Sequence, residues 1–468
     1  MFFDCFFTKY FFIVGSLIFF SSISQKLKGT FLNVAPDENL KRDITRIGLA
    51  TLVLNGIIGA GIFALPSAVA ERTGALSPLI FVICGVLMLS VVTSFGQAAS
   101  YFRKTGGPVL YAGTAFGPFV GFQAGWLLYL GRMTAFAANS NILVSYAGFF
   151  WTGVQDGVGR IVALAICFLV LTSINVMGVK RGMSATNVLT VLKMVPLLLF
   201  IGFGFVYIAP EKFTGLSASG FDGFAESLLL VVYAYVGFEG AVIPAGECRN
   251  PRKDIPQALI KTLLATGVLY VLIQTICISV LPDLGQTETP LADVAKVMFG
   301  SSGAQIMTLA AFFSIAGNLS AIVIAAPRMT YALAKENLLP AWFGKVHEKY
   351  KTPSASILFL GGVGFFLAVS GSFAWLAIMS SLARLLGFGI TIAALPRLKK
   401  MFGSDSDGFK VPGGYFVPAF AFVVCIWLSL QADLITWGMT AAFVLFGSLL
   451  YGITRWQRKT SPDSESQN

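Results

Sequence analysis

The run Leu54-Asn55-Gly56-Ile57-Ile58-Gly59-Ala60-Gly61-Ile62-Phe63 puts three glycines into six positions, in the middle of an apolar stretch long enough to cross a bilayer. Each glycine costs a helix about 1 kcal/mol against alanine. Inside hydrocarbon a backbone group freed by unwinding has no water to bond, so irregular backbone persists there only where it lines a cavity. In carriers the half-helix ends at such a break are aimed at the solute. A second run, Tyr235-Val236-Gly237-Phe238-Glu239-Gly240, follows five spans later. The chemistry these breaks offer is that of the backbone. N–H groups opening a second half-helix at Ala60, Gly61 and Ile62 would hold a carboxylate. Carbonyls ending the first half, with those near Ala234 to Gly237, would hold an ammonium. The α-amino acids carry both groups on adjacent atoms. Substrate contacts are therefore expected from Ile58, Gly59, Ala60, Gly61 and Ile62, and from Tyr233, Tyr235, Gly237 and Phe238. The competing reading of the glycines is a tight helix–helix contact through small residues.

Four ionisable residues lie deep in apolar spans: Arg132, Lys193, Glu239 and Arg384. Arg132 is roughly 21 Å along a helix from Pro118, at 1.5 Å per residue. A charge at that depth costs about 2.5–3.5 kcal/mol on insertion scales and marks function by default, the alternative being a fixed structural ion pair. Three cations cannot all pair with one carboxylate. The solute or a phospholipid must supply negative charge unless Lys193 sheds its own. A buried lysine changes protonation readily, so Lys193 is a candidate for coupling proton movement to transport, with Glu239 the other. The charges Glu247, Arg249, Arg252, Lys253 and Asp254 follow the second break, either as a gate network or as a solvated loop. Phe63, Tyr233, Tyr235 and Phe238 are the aromatics nearest the breaks, with Tyr129 and Phe136 as further candidates. With 43 Phe in the chain, most aromatics must pack against lipid or one another.

The elements that position these residues are apolar helices. Of 468 residues 56% are hydrophobic and only 12% charged, which excludes a soluble globular protein and fits an all-α polytopic membrane protein. Twelve apolar runs fall at about 44–71, 76–101, 118–149, 160–178, 184–208, 224–246, 256–281, 303–333, 354–371, 373–395, 414–433 and 435–454. Amphipathic pieces are expected at Gly107 to Phe116 and Leu291 to Phe299. The net charge of +11 is topological and does not call for a nucleic-acid partner. Alternate loops and tails from Lys41 onward hold 20 Lys and Arg, and the opposite set only Arg72, Arg160, Lys212 and Lys296. This is the positive-inside pattern, and it places both ends of the 41–456 unit in the cytoplasm of a cell in whose inner or plasma membrane the chain sits. Residues 1–40 stand apart as an interfacial helix or upstream sequence from an early start codon, and 457–468 read as a disordered tail. The six cysteines show no metal or disulfide spacing, and the sole histidine, His347, offers no relay. No catalytic constellation or nucleotide loop appears, so neither an enzyme nor a primary pump is expected. No cofactor, metal or obligate protein partner is expected either, only substrate and membrane lipid.

The stretch Gly56-Ile57-Ile58-Gly59-Ala60-Gly61-Ile62-Phe63 resembles the first-helix signature of the amino acid–polyamine–organocation transporters. Residues Tyr235 to Gly240, then Gly246-Glu247-Cys248-Arg249-Asn250-Pro251-Arg252-Lys253-Asp254-Ile255-Pro256, resemble the sixth helix and following loop of that family. Pro327-Arg328-Met329-Thr330-Tyr331-Ala332-Leu333-Ala334-Lys335-Glu336 resembles the end of its eighth helix. The resemblance runs from about residue 40 to 456. It implies twelve transmembrane helices, the first ten forming two inverted five-helix repeats (41–210 and 220–396) with helices 1 and 6 broken. Helices 11 and 12 (414–456) are extra. It also implies alternating access and an amino acid or related amine as solute, by symport or exchange; a substrate-sensing transceptor is the rival. Lys193 resembles the lysine that takes the place of a sodium ion in proton-coupled members, which favours H⁺ over Na⁺. Glu239 resembles the glutamate of the arginine/agmatine exchangers. Arg132 and Arg384 have no place in these motifs. As fixed cations they favour a neutral or acidic amino acid.

Overall fold

A computed structural model describes residues 44–178, 182–213, 223–403 and 409–460. The extension at 1–40 and most of the tail lie outside the described residues. Helix dominates: Arg46–Ile57 (α1), Gly61–Thr73 (α2), Ser77–Ser100 (α3), Gly107–Phe116 (α4), Pro118–Ala147 (α5), Gly157–Met177 (α6) and Gly182–Gly204 (α7). These are followed by Phe224–Tyr235 (α8), Pro251–Val280 (α9), Pro290–Lys335 (α10), Ser354–Ser370 (α11), Phe373–Phe402 (α12), Phe416–Ser429 (α13) and Leu434–Thr460 (α14). No β-strand occurs among the described residues, apart from an isolated bridge between Ile44 and Cys248. Every apolar run read from the sequence carries helix. Among the described residues, seven helical stretches are long and apolar enough to cross a membrane. This is a multi-pass, all-helical membrane protein.

Backbone chemistry sets the boundaries. Thr45 caps α1 by accepting the Gly48 N–H at 3.2 Å. Prolines near the first turns of α3, α4, α5, α9 and α10 sit where a missing N–H costs nothing. Gly117 joins α4 to α5 at φ +95, a conformation open to glycine. The amphipathic piece at Leu291 to Phe299 is the first arm of α10, which bends at Gly300 with φ +71 and ψ −163.

Burial sorts the helices. α6 shows apolar side chains outward, with Leu169 67% and Ile166 57% exposed, as expected of a wall facing lipid. α5 and α12 are buried along most of their length and pack on each other at the centre. Around that pair, α1 packs on the segment after α8, α2 on α8, α3 on α9, α5 on α10, and α6 on α11. Helices α13 and α14 lie outside against α12.

Candidate functional site

The first expected break is present. α1 stops at Ile57, Ile58 is extended (φ −81, ψ 91), and α2 restarts at Gly61 from Ala60, which gives no side-chain cap. The two half-helices therefore present carbonyls and N–H groups to one region. Protein donors already serve most of the carbonyls. The Asn55 carbonyl accepts Asn318 Nδ2 at 3.2 Å, and that of Ile57 accepts the Tyr270 hydroxyl at 3.1 Å. The Ile58 carbonyl accepts Lys193 Nζ at 2.8 Å. Gly61 and Ile62 open a helix, where N–H groups have no intrahelical partner. The positive end of the α2 dipole thus faces the break at Ala60 to Ile62.

The second break follows α8, which ends at Tyr235. Val236 is extended and Gly237 takes φ +105, conformations that turn the chain into a 3-10 segment, Phe238–Val242. The breaks meet through their glycines. A Cβ on Gly56 would lie 2.5 Å from the Gly237 carbonyl oxygen, and one on Gly237 would lie 2.1 Å from that of Gly56. At Gly61 a Cβ would come to 3.3 Å from Ala234 Cα, and at Gly59 to 2.9 Å from the Asn318 side chain. The small-residue contact and the broken-helix reading are both realised. Gly56 and Gly237 let two unwound backbones touch, and that contact holds the half-helix ends together.

The buried charges divide into two groups. Lys193 is 3% exposed and sits on the Ile58 carbonyl. Glu239 is 1% exposed and stands between the two arginines. Its Oε1 is 3.2 Å from Arg384 Nε and 3.8 Å from Arg132 Nη2, and its Oε2 accepts the Gly237 N–H at 2.8 Å. A single carboxylate oxygen thus serves two guanidiniums. After the break, Asp254 is buried and paired with Arg46 at 2.5 Å. Beside it Ile44 N–H donates to the Glu247 carbonyl at 3.1 Å. Of the charges that follow the second break, Asp254 is thus tied to the start of α1 through its side chain, and Glu247 only through its backbone carbonyl.

The aromatics separate in the same way. Tyr233 lies against Gly61, its hydroxyl bonded to Asn139 Oδ1 at 2.5 Å and its ring edge-on to Phe373. Tyr235 is held against α3, donating to the Phe81 carbonyl at 2.8 Å, and Phe238 packs between Phe95 and Phe388. Phe63 stacks edge-on with Tyr146. Tyr129 lies instead with Trp126 and Phe359, and Phe136 with Phe168, so the ring contacts of both are with the bundle core. Sequence reading missed a chain of amides. Tyr233 bonds Asn139, Asn139 Nδ2 donates to Asn318 Oδ1 at 2.8 Å, and Asn318 donates to the Asn55 carbonyl. Asn55 Nδ2 in turn donates to Thr190 Oγ1 at 2.7 Å. The available signal was that Asn55, Asn139 and Asn318 each lie inside an apolar run, because a buried amide must find partners.

The family model of amino acid permeases matches residues 44–449. The chain is similar to a branched-chain amino acid permease of Bacillus subtilis, 26% identical over 93% of this chain and 97% of the relative. It is also similar to a methylthioribose transporter of the same organism, 27% identical over 88% and 93%. A third relative is a serine/threonine exchanger of Bacillus subtilis, 26% identical over 89% and 97%. These proteins carry solutes and are not enzymes. With its two broken helices and a match spanning nearly the whole helical unit, the chain belongs to the amino acid permease family, within the amino acid–polyamine–organocation superfamily that its motifs resemble.

Proposed function

We propose that the protein is a secondary active transporter of a neutral or acidic amino acid, working by alternating access and coupled to protons through Lys193. The observation that carries this reading is Lys193 Nζ on the Ile58 carbonyl, at the break that also presents the α2 amides. A cation there holds an unwound carbonyl that would otherwise need an ion. Loss of its proton weakens that hold, which gives a route from proton movement to the shape of the break. Of the two coupling candidates Lys193 is the better placed, since the charge of Glu239 is committed to two guanidiniums. The substrate α-carboxylate is assigned to the Ala60, Gly61 and Ile62 amides, beside Tyr233. Its ammonium is assigned to the remaining carbonyls of the two breaks.

Twelve spans arranged as two inverted five-helix repeats fit the observed pairings. Segment 1 packs on segment 6, 2 on 7, 3 on 8 and 4 on 9 when the helices are numbered as spans. Alternating access is supported by closures at both ends. Arg46–Asp254 lies on one side, and Ser145 donating to Glu288 at 2.8 Å on the other. The charge asymmetry of the loops assigns the Arg46 side to the cytoplasm of a cell membrane. Counterflow in proteoliposomes against a panel of labelled amino acids tests the proposal. Accumulation of a neutral or acidic amino acid, driven by a pH gradient and indifferent to sodium, is the expected result. Sodium-driven uptake without a response to pH would overturn the coupling. Exchange without net uptake is the second reading, favoured by the serine/threonine exchanger among the relatives. A purified protein that exchanges but does not respond to pH would establish it.

A further inference from the structure

The charges of the triad do not balance. Among the described residues the buried charged groups are Arg132, Lys193, Glu239, Asp254 and Arg384. Asp254 is paired with Arg46, and Lys193 is bound to the Ile58 carbonyl. This leaves two guanidiniums with one carboxylate, an excess of +1 in a site where Arg132 is 8% and Arg384 5% exposed. Their hydrogen bonding is incomplete as well. Arg384 Nη1 donates to Ser380 Oγ at 2.8 Å. By contrast Nε and Nη2 of Arg132, and Nε of Arg384, are buried without a hydrogen-bond acceptor, although Glu239 Oε1 is their neighbour. Buried donors left unsatisfied are costly, and so is uncompensated charge. A guanidinium fork matches a carboxylate in both charge and plane.

We propose that the Arg132–Glu239–Arg384 cluster binds the side-chain carboxylate of the solute, so that the transported compound is a dicarboxylic amino acid. The inference rests on the amino acid reading given above and names the substrate class within it. A zwitterionic neutral amino acid adds no net charge and leaves the excess of +1 in place. A dicarboxylic amino acid adds one negative charge and brings the cluster to zero, while giving the free N–H donors the acceptors they lack. The position suits this role. Glu239 is two residues beyond Gly237, which touches Gly56 of the first break. Tyr233, whose ring lies against Gly61, bonds Asn139 on α5, the helix that also carries Arg132. A solute with its α-carboxylate at the start of α2 therefore has its side chain on the arginine side of the breaks. Arg132 reaches the cluster from α5 and Arg384 from α12, the two central helices, so the specificity site is built on the most buried elements of the bundle.

The test measures thermal stabilisation of the purified permease by aspartate, glutamate, asparagine, glutamine, leucine, serine and arginine, with chloride as a separate arm. Aspartate or glutamate should bind at least tenfold more tightly than the matching amide. Arg132→Gln and Arg384→Gln should each erase that preference, lowering affinity for the acids at least tenfold more than affinity for the matching amides. If neutral amino acids bind and the acids do no better, the cluster assignment falls while the amino acid reading stands. If no amino acid binds, both fall. Equal stabilisation by chloride and by the acids would make the cluster an inorganic anion site and overturn the proposal. The wild-type panel decides the matter even where an arginine variant fails to fold.

Discussion

Lys193 and Gly237 show how single residues act at this site through the backbone. The Lys193 ammonium donates to a carbonyl that the break has left without an amide. Lys193→Ala is therefore expected to abolish uptake driven by a pH gradient and to preserve exchange, measured in proteoliposomes with and without an imposed gradient. Unchanged gradient-driven uptake would falsify the coupling role. Gly237 is constrained twice, by φ +105 and by the Gly56 carbonyl that any Cβ would strike. Gly237→Ala should cost at least 2–3 kcal/mol of stability, from backbone strain and overpacking together. It should lower the thermal midpoint in detergent whether or not solute is present. Gly61 is milder, because its Cβ would meet Ala234 at 3.3 Å and a small shift of α2 relieves the contact. Gly61→Ala is expected to leave the protein monodisperse and weaken solute binding about tenfold, since the methyl group stands beside the amides assigned to the carboxylate. Unaltered affinity in that purified variant removes the assignment.

At the scale of elements the two closures are the parts most open to experiment. The short strap formed by Ile44, Arg46, Cys248 and Asp254 ties the start of α1 to the start of α9. Exposed ion pairs contribute little, but Asp254 is buried and Arg46 is not, so the pair is half desolvated. Cys248 reports on this closure. Burial, followed by the Glu247 and Asp254 carboxylates, pushes its thiol up to about 11. The thiolate is the reactive form, so the closed strap keeps Cys248 inert near neutral pH. Asp254→Asn should release the strap, expose the thiol and remove one of the charges that raise it. All three changes act in the same direction. Site-resolved mass spectrometry after maleimide treatment at pH 8 should find labelling of Cys248 raised about tenfold or more. A saturating solute that favours the closed arrangement should reduce it again. Equal labelling of wild type and variant would show that the strap does not gate.

For the whole molecule, the family match begins at residue 44, where the described structure also begins. The apolar run from Phe11 to Phe20 is about half of what a span needs. A chain starting at Leu40 retains the strap residues, and it is expected to insert and transport at the rate of the full-length protein. Loss of membrane insertion or of counterflow in the shortened protein would show that the first forty residues are part of the working unit.

Much of this was legible before any coordinates. Glycine spacing located both breaks to within a residue or two, because glycine is among the residues that least favour a helix and most readily adopt the turns a break needs. The twelve apolar runs fell on helices because hydrophobic length alone dictates them in lipid. The sequence by itself also determined the family and the membrane class, since both follow from local patterns. It could not say which partners the buried polar groups would find. Whether Glu239 pairs with Lys193 or with the arginines depends on how α5, α7 and α12 pack around the breaks, over separations of 46 to 145 residues that no periodicity encodes. The link from Asn55 through Asn318 and Asn139 to Tyr233 is of the same kind, a set of isolated amides that acquire meaning only in contact. Tertiary structure alone decided that Gly56 and Gly237 face each other. It likewise decided that one carboxylate is shared by two guanidiniums, because backbone approach and net charge at a point are properties of the assembled bundle.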